Sequence, residues 1–372
     1  MSTAKALLKD VLTHPMSGCD LRAYMDIIGT YHRFDGPALR LLIPLALLSP
    51  LRAYQRLRFG AQVERTEVPK APIFIIGHWR SGTTFLEELL SQDARLGFSR
   101  YFGNQFPGLS VLIQKEGTLV HRLFADLQMK RPQDSVVFTI DTPSEEEFAI
   151  AKVSKYSFLH AWIFRDRWDE LARKYLTMET IEPAELAEWQ AHYRALVRRW
   201  TFINRGKQLV LKSPYNTARI SRILETFPGA KFVHIARDPL EAIVSTIDML
   251  EKMSRFAFTT IPDGELADRI IETYAVVARH YEAQRSLIPD GHLAEARFED
   301  LMTAPKTVVE SIYEQLQLPM DNATRAGVRS VIAAHGDYKR NQYQFPNDVV
   351  QRASASVRIG ERVYGYASKE SA

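Results

Sequence analysis

The chain has a single cysteine, Cys19, in 372 residues. That excludes an intrachain disulfide and leaves a cysteine-based zinc site without ligands. Such sparse thiol chemistry points to a reducing compartment, the cytoplasm. Long apolar runs are missing too. Leu41 to Leu48 is unbroken and contains Pro44, but it falls far short of the roughly 18 residues needed to cross a bilayer. The opening stretch MSTAKALLKDVLTH has no continuous apolar core of signal-peptide length, so no secretion signal is expected. A strong charge bias is also absent. Lys and Arg total 48 against 44 Asp and Glu, a net charge of +4. That excess is too small to argue for a nucleic-acid partner, and none is expected. It does suit an enzyme with small polyanionic ligands. Apolar residues make up 46% of the chain, ample for one large α/β domain with additions, or for two domains.

The informative stretch is PIFIIGHWRSGTTFLEELL, residues 72–90. Ile73, Phe74, Ile75 and Ile76 form a short apolar run rich in β-branched residues, the pattern of a strand buried on both faces of a parallel sheet. A polar loop follows Gly77. Beyond it, Phe85, Leu86, Leu89 and Leu90 alternate with Glu87 and Glu88 at helical spacing. A strand, a glycine-bounded loop and a helix start together make an anion site, because loop N–H groups and the positive helix end point at one spot. The spacing from Gly77 to Gly82 is that of the nucleoside-triphosphate P-loop. That motif continues with Lys and then Ser or Thr, whereas here Thr83 and Thr84 follow, and the cation sits inside the loop as Arg80.

Two further runs read as buried strands of the same kind. Leu209, Val210 and Leu211 lead into Lys212, Ser213 and Pro214. Phe232 to Ala236 lead into Arg237, with Asp238 as a natural N-cap, Pro239 as the first helical residue and Ser245 about two turns further on. In open α/β sheets the carboxyl ends of strands are where ligands bind, so Lys212 and Arg237 stand at the right edge. Residues 141–150, DTPSEEEFAI, read as a helix start with Thr142 as N-cap, Pro143 at N1 and Glu145 at N3. Residues 183–201 carry an aromatic stripe at helical spacing and read as core. Residues 98–134 read as irregular, and Asp35-Gly36-Pro37 as a turn. Residues 38–60 combine the apolar run with Arg40, Arg52, Arg56 and Arg58. Such a segment either lies on an anionic membrane surface as a peripheral contact, or packs on the catalytic part or on another subunit.

GHWRSGTT, residues 77–84, resembles the 5′-phosphosulfate loop of sulfotransferases that use 3′-phosphoadenosine 5′-phosphosulfate (PAPS). The Lys212 strand, the Arg237/Ser245 segment and the Phe298-Glu299-Asp300-Leu301 segment follow in the family's order, so the resemblance spans roughly residues 71–346. It implies a P-loop-like three-layer α/β fold with a central parallel sheet flanked by helices. Residues 1–70 would form a helical N-terminal extension and residues 71–372 the catalytic domain. By the resemblance, Gly77, His78, Trp79, Arg80, Ser81, Gly82, Thr83 and Thr84 hold the 5′-phosphosulfate, and Arg237 and Ser245 the 3′-phosphate. Phe298 borders the adenine, and Lys339 or Arg340 reaches a phosphate from a C-terminal loop. Lys212 and Arg80 stabilise the leaving group, and no metal is required. The acceptor would be a hydroxyl compound, a lipid or other hydrophobic alcohol. Relatives often carry a histidine base after the strand-end lysine, but here Ser213, Pro214, Tyr215 and Asn216 stand there, which favours Glu145 or Glu146 as the base. Two other classes compete: a P-loop kinase or NTPase, opposed by the missing lysine after Gly82, and a nucleotide- or lipid-binding module that transfers nothing.

Overall fold

The computed structural model describes residues 14–68, 71–115, 117–125, 129–130, 137–262, 264–335 and 345–367. The chain divides into two compact units. One, the sheet unit, comprises Pro69–Phe98, Lys207–Glu251 and Ile261–Ala372. The other, largely helical, comprises Met1–Val68, Ser99–Gly206 and Lys252–Thr260. The expected N-terminal extension therefore groups with two later stretches of chain.

Among the described residues the strands are β1 (Ile73–Gly77), β2 (Leu96–Phe98), β3 (Met129–Lys130), β4 (Val137–Phe138), β5 (Gln208–Lys212), β6 (Lys231–Ala236) and β7 (Leu293–Arg297). β3 and β4 pair antiparallel in the helical unit. The other five form one sheet in the order β2-β5-β1-β6-β7, with every pairing parallel. All five residues of β1 are buried, as its unbroken apolar sequence requires, because it is the central strand and is covered on both faces. Ile73 and Ile75 join Leu86, Leu89, Val210, Val233 and Ile235 in one cluster. Phe74 points the other way, with its ring 5.8 Å from that of Phe232. Fully burying each such side chain stabilises the fold by roughly 1.5–3 kcal/mol. This is the three-layer α/β arrangement expected from the sequence.

In the helical unit, Asp35-Gly36-Pro37 begins a helix rather than making a free turn. The Asp35 carboxylate accepts from the Ala38 N–H at 3.1 Å, Pro37 sits in the first turn, and the helix runs Gly36–Glu64. Its buried face carries Ala38, Leu41, Leu45, Arg52, Gln55 and Phe59. Gln55 Oε1 accepts from the N–H groups of Val111 and Leu112 at 3.0 and 3.1 Å, tying this helix to the start of the Ser110–Gln114 helix. Residues 98–134, expected to be irregular, contain β2's last residue and the short helices Tyr101–Gln105, Ser110–Gln114 and Leu119–Ala125. Each is too short to show a helical period in sequence. They hold together by burying Phe102, Leu109, Val111 and Ile113 in one cluster with Phe59.

Candidate active site

Three neighbouring strands of the sheet unit bring the expected residues to one edge. Ile75 of β1 pairs with Lys212, the last residue of β5. Gly77, the last residue of β1, pairs with Ile235 of β6, and Arg237 follows directly on that strand's end at Ala236. Lys212, the loop after Gly77 and Arg237 thus emerge together at the carboxyl end of the sheet, where α/β folds place ligands.

The loop demands glycine at both ends. Gly77 has φ +146°, and a Cβ there would lie 2.3 Å from the Ile235 carbonyl oxygen. Gly82 has φ +90°, and a Cβ there would lie 2.5 Å from the Phe298 ring. Between them the chain folds back on itself: the Ser81 N–H and hydroxyl both donate to the His78 carbonyl, at 3.2 and 2.7 Å. Gly82 is the N-cap of the Thr83–Leu90 helix, so that helix's positive end faces the loop. Thr217 closes the strand end, its hydroxyl accepting from the Gly77 N–H at 2.8 Å and donating to the Gly77 carbonyl at 2.9 Å. Sequence reading missed Thr217. Its only signal was its position five residues after Lys212 in KSPYNT.

Arg80 is central to the arrangement. It holds a left-handed backbone, φ +66°, which a non-glycine residue adopts only when its surroundings impose it. Arg80 Nε donates to Ser245 Oγ at 3.0 Å, and its carbonyl accepts from Arg237 Nη1 at 2.7 Å. Arg237 also pairs with Glu241 at 2.8 Å, and its guanidinium lies 4.5 Å from the centre of the Phe298 ring. Arg80, Gly82, Arg237, Ser245 and Phe298, drawn from three distant parts of the chain, form one connected web. Ser245 is fully buried and Arg237 is 6% exposed, so both present their polar groups in a confined setting where hydrogen bonds to an anion are strong.

His78 and Trp79 contribute differently. Their side chains are buried and taken up by aromatic packing, with His78 4.7 Å from Tyr274 and Trp79 edge-on to Tyr215 at 4.9 Å. Burial pushes the His78 imidazole down to about 4, so it is neutral near pH 7 and the loop's fixed positive charge is Arg80. Thr83 is buried and Thr84 partly exposed at the helix start. Lys339 and Arg340 lie outside the described residues.

The acidic segment belongs to the helical unit. Here the helix starts later than the sequence suggested: it runs Glu147–Val153 with Glu146 as N-cap. Thr142 does not cap it, because its hydroxyl accepts from the Thr139 N–H at 2.9 Å, and Pro143 forms an isolated bridge with Arg100. Asn104 donates to the carbonyls of Ser144 and Glu145 at 3.0 and 3.1 Å, fixing the backbone through the carboxylates. Glu146 is fully buried and Glu145 is 9% exposed. Tyr193, read from sequence only as core, donates its hydroxyl to Glu146 Oε1 at 2.8 Å. Burial pushes the Glu146 carboxyl up to about 7, with Glu145 and Glu147 adding repulsion and the Tyr193 hydrogen bond opposing. The third carboxylate, Glu147, accepts from the Ser157 hydroxyl at 2.6 Å.

Comparison with known proteins agrees with this geometry. The profile described as "Sulfotransferase family" matches residues 72–322. The omega-hydroxy-beta-dihydromenaquinone-9 sulfotransferase Stf3 of Mycobacterium bovis is 33% identical over 322 residues, covering 86% of this chain and 81% of that protein. Its Mycobacterium tuberculosis counterpart matches equally well. Among solved structures, sulfotransferase STF9 from Mycobacterium avium superposes with a TM-score of 0.68 at 18% identity, over 98% of this chain and 95% of that one. Sulfotransferase STF1 from Mycobacterium tuberculosis does so with 0.63 at 17% identity, over 95% and 99%. These two share the fold. The profile match over most of the chain and the identity to Stf3 place the protein: it is an enzyme of the sulfotransferase family.

Proposed function

We propose that the enzyme moves a sulfuryl group from PAPS to the hydroxyl of a lipid or similarly hydrophobic alcohol in the cytoplasm. The observation that carries the donor reading is the web joining the Gly77–Gly82 loop to Arg237 and Ser245 through Arg80. The residues fit such a ligand. A glycine-bounded loop at a helix start suits the 5′ group, and a buried Arg and Ser suit a second anion. The donor supplies an activated sulfuryl group, and the chain does the rest. The loop and Arg80 hold the sulfuryl end, Arg237 and Ser245 hold the 3′-phosphate, and Lys212 places positive charge at the same sheet edge, where charge builds on the leaving oxygen. The acceptor class is suggested by Stf3, whose name gives omega-hydroxy-beta-dihydromenaquinone-9 as its acceptor.

Titration calorimetry with 3′-phosphoadenosine 5′-phosphate, AMP and ATP tests the donor site. The bisphosphate should bind at least about tenfold tighter than either competitor. Preference for ATP with Mg²⁺ would restore the phosphoryl-transfer reading instead.

For the acceptor proton we assign Glu146 as general base, because a carboxyl pushed to about 7 is matched in basicity to work near neutral pH. Activity should then rise with pH to a plateau above about 7. Glu146→Gln should lower kcat by about 10²–10³ without altering bisphosphate affinity. Glu145→Gln should keep the pH profile. A profile that loses its break in Glu145→Gln and keeps it in Glu146→Gln would move the assignment to Glu145.

A further inference from the structure

We propose that the helix Gly36–Glu64 docks the enzyme flat on an anionic phospholipid surface through the face it turns to solvent. The helix has two apolar faces. The buried one, named above, packs within the helical unit. On the opposite side Leu39, Ile43, Leu47, Tyr54 and Leu57 are 48%, 67%, 75%, 53% and 88% exposed. At about 100° per residue these five fall within an arc of about 80°, on the side opposite the buried face. The resulting stripe is about 27 Å long. An exposed apolar strip of that size on a soluble domain marks a binding surface.

The charge around the stripe selects the partner. From Gly36 to Val63 the sequence has no Asp or Glu. Arg40, Arg56 and Arg58 are exposed, with Arg40 and Arg58 beside one edge of the stripe and Arg56 beyond the other. Apolar side chains in the centre and arginines at the flanks are what a helix lying in the headgroup region of an anionic bilayer needs. A second copy fits poorly, because pairing the stripe with itself would set arginine against arginine with no carboxylate between. Spanning is excluded among the described residues, where no helix is long and apolar enough to cross a membrane.

The Leu119–Ala125 helix of the same unit carries further exposed apolar side chains. Val120 and Phe124 pack on the cluster that contains Phe59, while Leu119 and Leu123 are 71% and 67% exposed. Of the exposed large apolar side chains among the described residues, all but Leu287 and Phe345 belong to the helical unit. The exposed large apolar side chains are thus concentrated in the helical unit.

The test is co-sedimentation of the full chain with vesicles of phosphatidylcholine and phosphatidylglycerol in equal parts, beside vesicles of phosphatidylcholine alone. The chain should pellet with the anionic vesicles and be released on raising the salt from about 0.1 to about 1 M. The double variant Leu47→Glu, Leu57→Glu should lower partitioning at least about tenfold. Both side chains are exposed, so its melting temperature and its affinity for 3′-phosphoadenosine 5′-phosphate should match the parent. Arg40→Gln with Arg56→Gln and Arg58→Gln should weaken binding to anionic vesicles and leave the remainder insensitive to salt. Failure to pellet, or equal pelleting of the double variant, would overturn the proposal. So would sedimentation velocity showing a dimer that the double variant dissociates, which would assign the face to a second copy. None of these readouts depends on sulfuryl transfer.

Discussion

Exchanging Arg237 for alanine is expected to weaken binding of 3′-phosphoadenosine 5′-phosphate about a hundredfold while AMP loses less than about fivefold. The difference isolates the 3′-phosphate. Arg237 is almost fully buried, permanently charged and able to offer two parallel N–H donors. Losing it removes about 2–3 kcal/mol of charge-assisted hydrogen bonding to a phosphate, which is one to two powers of ten in affinity. Arg237→Lys should recover only part of this, since an ammonium replaces charge but not the fork. The same side chain donates to the Arg80 carbonyl, so alanine also frees the left-handed turn of the loop. Titration separates the two roles. If AMP and the bisphosphate weaken equally, Arg237 is a support for the loop and the 3′-phosphate is bound elsewhere.

Acidification is expected to unfold the protein with a midpoint near pH 5. Burial pushes four imidazoles well below their usual 6.5: His14, His78 and His160 to about 4 and His234 to about 3. The unfolded chain therefore binds protons that the folded chain refuses. The stability tied to these neutral rings is complete above pH 6.5 and is lost as pH falls toward the folded values. At pH 5 each ring costs about 2 kcal/mol, or about 8 for the four, which rivals the whole stability of a typical domain at about 5–15 kcal/mol. Glu146 acts in the opposite sense. Its carboxyl is raised from 4.5 to about 7, so its contribution is complete below pH 4.5 and is lost as pH rises through 7. It amounts to about 3 kcal/mol, less than the four rings together. His14 and His160 lie in the helical unit and His78 and His234 in the sheet unit, so both should melt in the same window. Circular dichroism across pH 3–8 checks this, and His160→Gln should shift the midpoint downward. A chain that stays folded at pH 4 would mean that these rings take up protons without unfolding.

The sheet was legible because buried parallel strands write themselves as unbroken apolar runs, as at Ile73–Ile76, Leu209–Leu211 and Phe232–Ala236. β2 was not, since Leu96-Gly97-Phe98 is three residues long and draws its identity from pairing with β5. The loop residues could be named because glycine spacing and an internal arginine are local signals. What could not be read was who answers them. That Arg237 reaches the Arg80 carbonyl, or that Thr217 clips Gly77, depends on strand order, which brings together residues some 140–160 positions apart. The acidic segment misled for a related reason. Thr-Pro-x-Glu is a sound local recipe for a helix start, but Thr139 and Arg100 claimed Thr142 and Pro143 first.

The interleaving of the two units bears on how the chain folds. β2 ends at Phe98 and its partner β5 begins at Gln208, so zipping those two strands closes a loop holding the whole stretch Ser99–Gly206. Closing a flexible loop of that length costs about 4 kcal/mol in chain entropy, beyond a constant, and three residue pairs return little of it. The pairing becomes favourable once the enclosed helices have condensed and shortened the span. Synthesis delivers them in that order, since all of Ser99–Gly206 leaves the ribosome before β5 does. The β2–β5 pairing is thus a late clasp, and a cut inside the enclosed helices would leave β2 and β5 without the bridge that draws them together.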